Sequence, residues 1–424
     1  MDVRDKLYKA LGNERTANAI KSGTAHKEGR SLIVRVTDVM DVVRTCFAMS
    51  LKGLHLAASL TLFIALGMRN MNVAEAAWGY CDIYQMGYGG APVWNLSSKR
   101  SPWVLRLGTC RKMDKDDAQT ALREFIHHKN PLLCPILALS ILRFHLLFIK
   151  KSVPLPTLGN WLEAEMAQAP DGKQYVKGGP AYHLPLVGQL SCPQRHGALD
   201  GQFLKQVADL ATGVSDTVAS GICWKAVRNF VGATVSQDAS ASSSDQRGRL
   251  SHEQHTKAYA TTDRSLVMIT GGYKGGLATE RQCASHRILG RYLPGDASAP
   301  QSEQMLDDAL AMQTCLFTHF GMHEEWLRVH QLVETPGESE YKSNARALGE
   351  ALGILAFLLT SLIVLSTARP RDADGGIDMN APAMRAIIPE LQELVAPLIG
   401  TPEYGRLEDA MRRAEERWLR FHRA

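Results

Sequence analysis

The sequence has no paired cysteine motif and no apolar leader, and both absences count against whole classes of protein. Its eight cysteines are widely spaced, unlike a secreted disulfide framework or a zinc knuckle. The polar N-terminal stretch MDVRDKLYKALGNERTANAIKSG contains no signal-peptide core. We therefore expect a protein of a reducing compartment.

Motifs of the common enzyme classes are also absent. The chain contains no G-x-x-x-x-G-K-[ST] phosphate loop, no nucleophile elbow, no H-E-x-x-H zinc motif and no Rossmann glycine set. The glycine-rich stretch GGYKGG at 271–276 has the wrong spacing for a phosphate loop. His252 and His255 lie three residues apart without a third metal ligand nearby, which favours a surface pair. The sequence predicts no metal and no cofactor.

The excess of positive over negative residues is small. The chain of 424 residues carries 48 Lys and Arg against 43 Asp and Glu, a net charge of +5. A local basic patch could still bind nucleic acid, but this balance does not argue for one. Hydrophobic residues make up 45% and charged residues 21%, which is typical of a globular protein with room for two or three domains.

Long apolar runs are present and need an explanation. Residues 351–368 carry no charge over 18 positions, the lower limit for crossing a bilayer. The comparable runs 53–68 and 131–149 are interrupted by His55 and by Arg143. Several such helices indicate a large helical core without a membrane partner, and a helical protein anchored in a membrane through 351–368 stays open as an alternative.

The pattern predicts an α+β fold that is mainly helical, with a small antiparallel sheet and a helical C-terminal extension. The pattern predicts helices over 31–52, 53–68, 114–128, 132–149, 201–215, 220–235, 251–262, 278–291, 303–332 and 341–368. Two short strands, 91–97 and 103–110, are expected to pair through the turn-like SSKRSP. Residues 152–200 are expected to form a loop with one short helix around Trp161.

We expect three regions along the chain. Residues 1–30 form a polar N-terminal segment, 31–295 a core, and 296–424 a helical C-terminal region. The core contains the serine-rich stretch QDASASSSDQRGR at 237–249, which is typical of a mobile linker.

A set of short segments in fixed order resembles the tyrosine recombinases. LTLFIALGMRNMNVAEAAWGYCDI at 60–83 is similar to the first signature of that family, in which a helix ends in Gly-hydrophobic-Arg and a Trp and an Asp follow. The matching residues are Gly67, Arg69, Trp78 and Asp82. The hairpin-like stretch comes next, as the family requires.

The most specific match lies in FIHHKNPLLCPILALSILRFHLLF at 125–148. It resembles the Crypton-type transposon recombinases of fungi and other eukaryotes, together with their domesticated relative, the budding-yeast point-centromere DNA-binding protein. Further on, LSHEQHTKAYA at 250–260 stands where the family carries His-x-x-Arg, and GRYLP at 290–294 resembles the segment with the nucleophilic tyrosine.

The resemblance implies DNA strand exchange through a covalent 3′-phosphotyrosine. In that chemistry fixed cationic donors surround the attacked phosphate, because negative charge develops on its oxygens. By this template Arg69 clamps the phosphate, Lys99 in the hairpin is the general acid, His252 is a second donor and Tyr292 is the nucleophile. The fold it implies is a tyrosine-recombinase catalytic core.

The chain departs from the family at the second arginine. That register falls on His255, which is mostly neutral at pH 7 and has no bidentate fork. Tyr273 stands where the family carries Trp, and the interval from Tyr273 to Tyr292 is longer than in the family pattern. His286, which lies within this interval, is a candidate to take over part of the role of that Trp. A missing donor costs orders of magnitude in rate, which favours binding over catalysis.

The leading hypothesis is a nuclear protein that binds double-stranded DNA on a recombinase-derived scaffold, with weak or no strand transfer. An active Crypton-like recombinase or integrase and a transposon remnant without function stay open. By the family's example the chain is expected to form a homodimer or a tetramer.

Overall fold

The computed structural model describes residues 34–49, 51–66, 73–85, 103–109, 121–126, 128, 131–162, 165–168, 174–177, 179–189, 191–197, 199–228, 318, 321–337, 345–355, 358, 396–406 and 409. Over these residues the chain is mainly helical, with two small antiparallel sheets. The mainly helical α+β class is therefore confirmed. The predicted N-terminal segment 1–30 and the linker 237–249 lie outside the described residues.

The elements are named here in chain order. Helices α1 to α7 span Val36–Phe47, Leu51–Leu66, Pro135–Phe144, Leu158–Leu162, Gly201–Leu210, Asp216–Gly221 and His323–Glu334. Strands β1 to β5 span Cys81–Gln85, Trp103–Thr109, Ala121–Phe125, Glu165–Gln168 and Gln174–Lys177. Short 3-10 turns form at Trp78–Tyr80 and Pro131–Leu133, and a π-helical turn at His145–Ile149 continues α3. Residues 224–228, 345–355 and 402–406 are also helical.

Helices α2 and α3 form the centre of the core because neither has a polar face. Every residue of α2 from Gly53 onward is buried, and so are all 10 residues of α3. The two helices pack against each other, and α2 also packs against α1. Their hydroxyl groups bond within the helix, as when Ser59 donates to the His55 carbonyl at 2.7 Å. The two apolar runs are thus core helices, as the sequence predicts.

Helix α1 covers one side of this pair with a single apolar face. Its buried hydrophobic residues recur at helical spacing, at Val39, Val42, Val43, Cys46 and Phe47. The Arg35 backbone N–H donates to the Asp38 carboxylate at 2.7 Å, which satisfies one polar group at the start of the helix. Helix α1 also contacts α5.

The larger sheet corrects two sequence-based predictions. Strand β2 is central and pairs antiparallel with β1 on one side and β3 on the other. Both edges of β2 are therefore occupied around Leu105, so the predicted pairing of 91–97 with 103–110 is wrong, although the second strand itself is confirmed. The predicted helix 114–128 is wrong at Ala121–Phe125, where pairing with β2 outweighs helix propensity and buries Phe125.

The stretch 152–200 is more structured than its composition suggests. The short helix around Trp161 is confirmed as α4, and Trp161 is fully buried. Strands β4 and β5 form a two-stranded antiparallel ribbon that the sequence analysis missed. Two strands of 4 residues each are too short for an alternating pattern to show.

The apolar run 351–368 is described only in part. Of its residues, 351–355 and Leu358 are placed, and they are buried. Among the helices that the structure describes, none is both long enough and apolar enough to cross a bilayer.

Lys151 adopts a backbone conformation that favours glycine. Its φ is +47°, directly after the π-helical turn, whereas the neighbouring Lys150 has φ −83°. We expect Lys151→Gly to raise the free energy of unfolding by about 1 kcal/mol, because a left-handed residue with a Cβ is strained by roughly that amount. Denaturant unfolding checks this, with Lys150→Gly as the matched control. The control should destabilise by about 0.5–1 kcal/mol, and an equal loss in both variants would contradict the assignment.

Candidate functional site

The side chains nominated by the resemblance all lie outside the described residues: Arg69, Lys99, His252, His255, His286 and Tyr292. The structure does describe the elements that flank the first two. Helix α2 ends at Leu66, three positions before Arg69, and β1 pairs with β2 across the connection 86–102, which contains Lys99. Of the first-signature residues, Trp78 is buried, and Asp82 lies in β1 at the register position opposite Arg106.

Arg143 is a buried cation in the core beside this region. Arg143 lies in the apolar helix α3 and is only 1% exposed. Its Nη2 donates to the carbonyl oxygens of Pro185 and Leu186, and its Cζ lies 4.7 Å from the centroid of the Trp78 ring. The two carbonyls and the aromatic face partly replace the water that burial removes. Burial lowers the pKa of Arg143 to about 9, so the guanidinium remains charged at neutral pH.

The carbonyls that Arg143 binds belong to residues 179–187, named here the bridging segment. This segment runs beside residues 76–79, and backbone hydrogen bonds join the two from Leu186 to Ala76 (2.7 Å), from Trp78 to Leu184 (2.9 Å) and from Gly79 to Tyr182 (2.9 Å). A Cβ at Gly79 would lie 2.4 Å from the Tyr182 ring, so the close approach requires glycine there. Arg143 thus fixes the bridging segment, which in turn fixes the chain leading into β1.

His55 of helix α2 is the second titratable group in this part of the core. It is 4% exposed, and its Nε2 has no hydrogen-bond partner among the described residues. Burial and, as the smaller cause, the positive charge of Arg143 together lower the pKa of His55 to about 4. The imidazole is therefore neutral at physiological pH, so His55 adds no second positive charge beside Arg143.

A small cavity lies against His55. Its volume is about 50 Å³, and its wall includes Lys52 and His55 of α2, Asp200 and Phe203 at the start of α5, and Trp224. The Asp200 carboxylate accepts hydrogen bonds from the backbone N–H groups of Gln202 and Phe203, both at 2.9 Å, and caps α5. The Lys52 ammonium lies 4.1 Å from the centroid of the Phe203 ring. The cavity therefore carries one charge of each sign.

Arg143 is shielded from solvent and engaged with backbone carbonyls, so it orders the fold and does not reach a DNA phosphate in this conformation. Within the described stretches, no group of three or more His, Cys, Asp or Glu is arranged to hold a metal ion.

Sequence reasoning noticed Arg143 and His55 only as interruptions of apolar runs. The signal for their role was present, because a charged residue inside an otherwise apolar helix is almost always paired in the core. Their partners could not be found from the sequence, since Pro185 and Leu186 lie more than 40 positions away in a loop. The cavity residues had no sequence signal.

Comparison of the chain with protein-family models, with curated proteins and with solved structures gave no match. The likeness to tyrosine recombinases therefore rests on the ordered segments quoted above.

Proposed function

We propose that this chain is a nuclear protein that binds double-stranded DNA on a tyrosine-recombinase-derived scaffold, with weak or no strand transfer. The observation that carries the proposal is the placement of elements around the first two nominated residues. A buried helix ends three positions before Arg69, and an antiparallel strand pair brackets the connection with Lys99. The recombinase resemblance requires a helix end and then an antiparallel strand pair in this order, and here β1 takes the place of the expected strand 91–97.

The buried cation Arg143 supports the proposal because it holds the bridging segment, to which the chain between Arg69 and Lys99 is hydrogen-bonded. The chain from Arg69 to Lys99 passes through residues 76–79, which hydrogen-bond to the bridging segment held by Arg143. Donors that meet a phosphate bind more tightly when their supporting elements are held rigidly in advance. Arg143 is in this sense a positioning residue and not a phosphate ligand.

The proposed binding rests on phosphate contacts. A guanidinium fork matches two non-bridging phosphate oxygens, and each such contact releases a counterion from DNA. The affinity should therefore fall as salt rises. His255 stands where the family's second arginine is expected, so the phosphate cage lacks a bidentate donor that catalysis needs.

We expect Arg69→Ala to weaken binding to a labelled duplex and to reduce the slope of log affinity against log salt by about 1, the effect of one lost phosphate contact. Fluorescence anisotropy of the full chain, titrated at several salt concentrations, measures both quantities. Arg328→Ala is the matched control, because the Arg328 side chain is 61% exposed and pairs with Glu324 and Glu325 of its own helix.

Two results would count against the proposal in different ways. Absence of salt-dependent binding, or equal losses in Arg69→Ala and Arg328→Ala, would remove the phosphate-contact assignment. A covalent adduct on nicked duplex that disappears in Tyr292→Phe would instead establish the active-recombinase alternative. Sedimentation with and without duplex would report whether the chain forms the expected homodimer or tetramer.

A further inference from the structure

The cavity between α2 and the start of α5 has polar groups with unused hydrogen-bonding capacity. The Trp224 indole is 8% exposed, and its N–H has no partner among the described residues. It lies beside the first turn of α5, since its Nε1 would be 3.7 Å from a Cβ placed on Gly201. A buried donor without a partner destabilises the structure, so an acceptor that reaches the indole N–H is favoured.

The charges of the cavity are opposite and are not paired with each other. Lys52 and Asp200 both line the cavity, yet no ion pair joins them in the described part of the chain. One oxygen of Asp200 already caps α5 by accepting two backbone N–H bonds, which leaves its second oxygen available. The Asp200 carboxylate would repel a simple anion, and the Lys52 ammonium would repel a simple cation. The cavity therefore favours a ligand that carries one charge of each sign.

The volume limits the size of a ligand. One water molecule needs about 10–15 Å³ of cavity measured in this way, so a cavity of about 50 Å³ admits a molecule of only a few heavy atoms. Leu56, Leu199 and Phe203 supply the apolar part of the wall, and Ser59 and Gly188 also line it.

We propose that this cavity binds a small zwitterion of the free α-amino acid type, with glycine as the minimal ligand. The ligand carboxylate faces the Lys52 ammonium and the Trp224 N–H, and the ligand ammonium faces the free oxygen of Asp200. This orientation matches both charges, and it gives the buried indole an acceptor after a small adjustment of the wall. The proposal is independent of DNA binding.

The test follows the indole N–H resonance of Trp224 in the full-length, ¹⁵N-labelled chain during titration with glycine. The chain has seven tryptophans, and loss of one signal in Trp224→Phe assigns the resonance. We expect a saturable shift of that signal with glycine and no saturable shift with acetate or ethylammonium at matched ionic strength. Lys52→Met and Asp200→Asn should each weaken the apparent affinity by about tenfold or more, because each removes one charge-assisted contact.

The variants are chosen so that folding does not obscure the result. Asparagine caps helices as well as aspartate, so Asp200→Asn keeps α5 intact while it removes the charge. The proposal is overturned if glycine produces no saturable shift, if acetate alone produces the same shift, or if both variants bind glycine as the wild type does.

Discussion

Arg143→Ala is expected to lower the free energy of unfolding by about 3–5 kcal/mol. The side chain is 1% exposed, so its removal leaves a cavity between α3 and the Trp78 ring. It also leaves the carbonyl oxygens of Pro185 and Leu186 without their donor. Equilibrium denaturant unfolding measures the loss. The Leu186 N–H donates to the Ala76 carbonyl. Hydrogen exchange at this amide reports whether the bridging segment opens before the rest of the chain unfolds.

Two further substitutions separate packing from hydrogen bonding at Arg143. Arg143→Met keeps most of the volume and removes a buried charge, so its loss should be smaller, about 1–3 kcal/mol from the two orphaned carbonyls. Arg143→Lys retains the charge but lacks the planar fork and should not restore wild-type stability. Wild-type stability in Arg143→Met would show that the carbonyl contacts do not hold the bridging segment.

Acid is expected to destabilise the folded chain through His55, by about 3 kcal/mol between pH 6.5 and pH 4. Burial and the charge of Arg143 lower the pKa of His55 to about 4, from 6.5 in an ordinary setting. The unfolded chain therefore takes up a proton at His55 as the pH falls below 6.5, while the folded chain does not until about pH 4. Stability is lost across this window and levels off below it, because both states are then protonated.

His55→Leu isolates this effect from the other histidines of the chain, which has 14 histidines including His55. Unfolding free energies measured from pH 7.5 to pH 4 should show a shallower acid loss in His55→Leu than in the wild type. Arg143→Met should also reduce the loss, since removing the neighbouring positive charge raises the pKa of His55 toward its ordinary value. Identical pH profiles for wild type and His55→Leu would show that His55 is not held neutral in the folded chain.

The hydrophobic pattern located the helices of the core well and the sheet poorly. The helices predicted at 31–52, 53–68 and 132–149 are confirmed as α1, α2 and α3 with its π-helical turn, because long apolar periodicity depends on local spacing alone. Strand pairing depends on which distant segment lies alongside. The predicted partner of β2 was therefore wrong, and the residues of β3 were assigned to a helix.

Functional residues also divide into those that a local sequence pattern predicts and those that only contacts between distant segments bring together. Arg69, Lys99 and the other nominated side chains came from an ordered resemblance, and they stay predictions because they lie outside the described residues. Lys52, Asp200 and Trp224 could not be nominated from the sequence, since no motif links positions so far apart in the chain.

The sequence by itself determined a helical core built on two helices without a polar face, since burying such helices on all sides is the way to remove their apolar surface from water. Tertiary structure decided what the charges within that core do. Arg143 could have been a phosphate ligand or a surface cation, and only the approach of the bridging segment makes it an internal donor to Pro185 and Leu186. Hydrogen-bond partners are chosen by proximity in space, which local sequence does not encode.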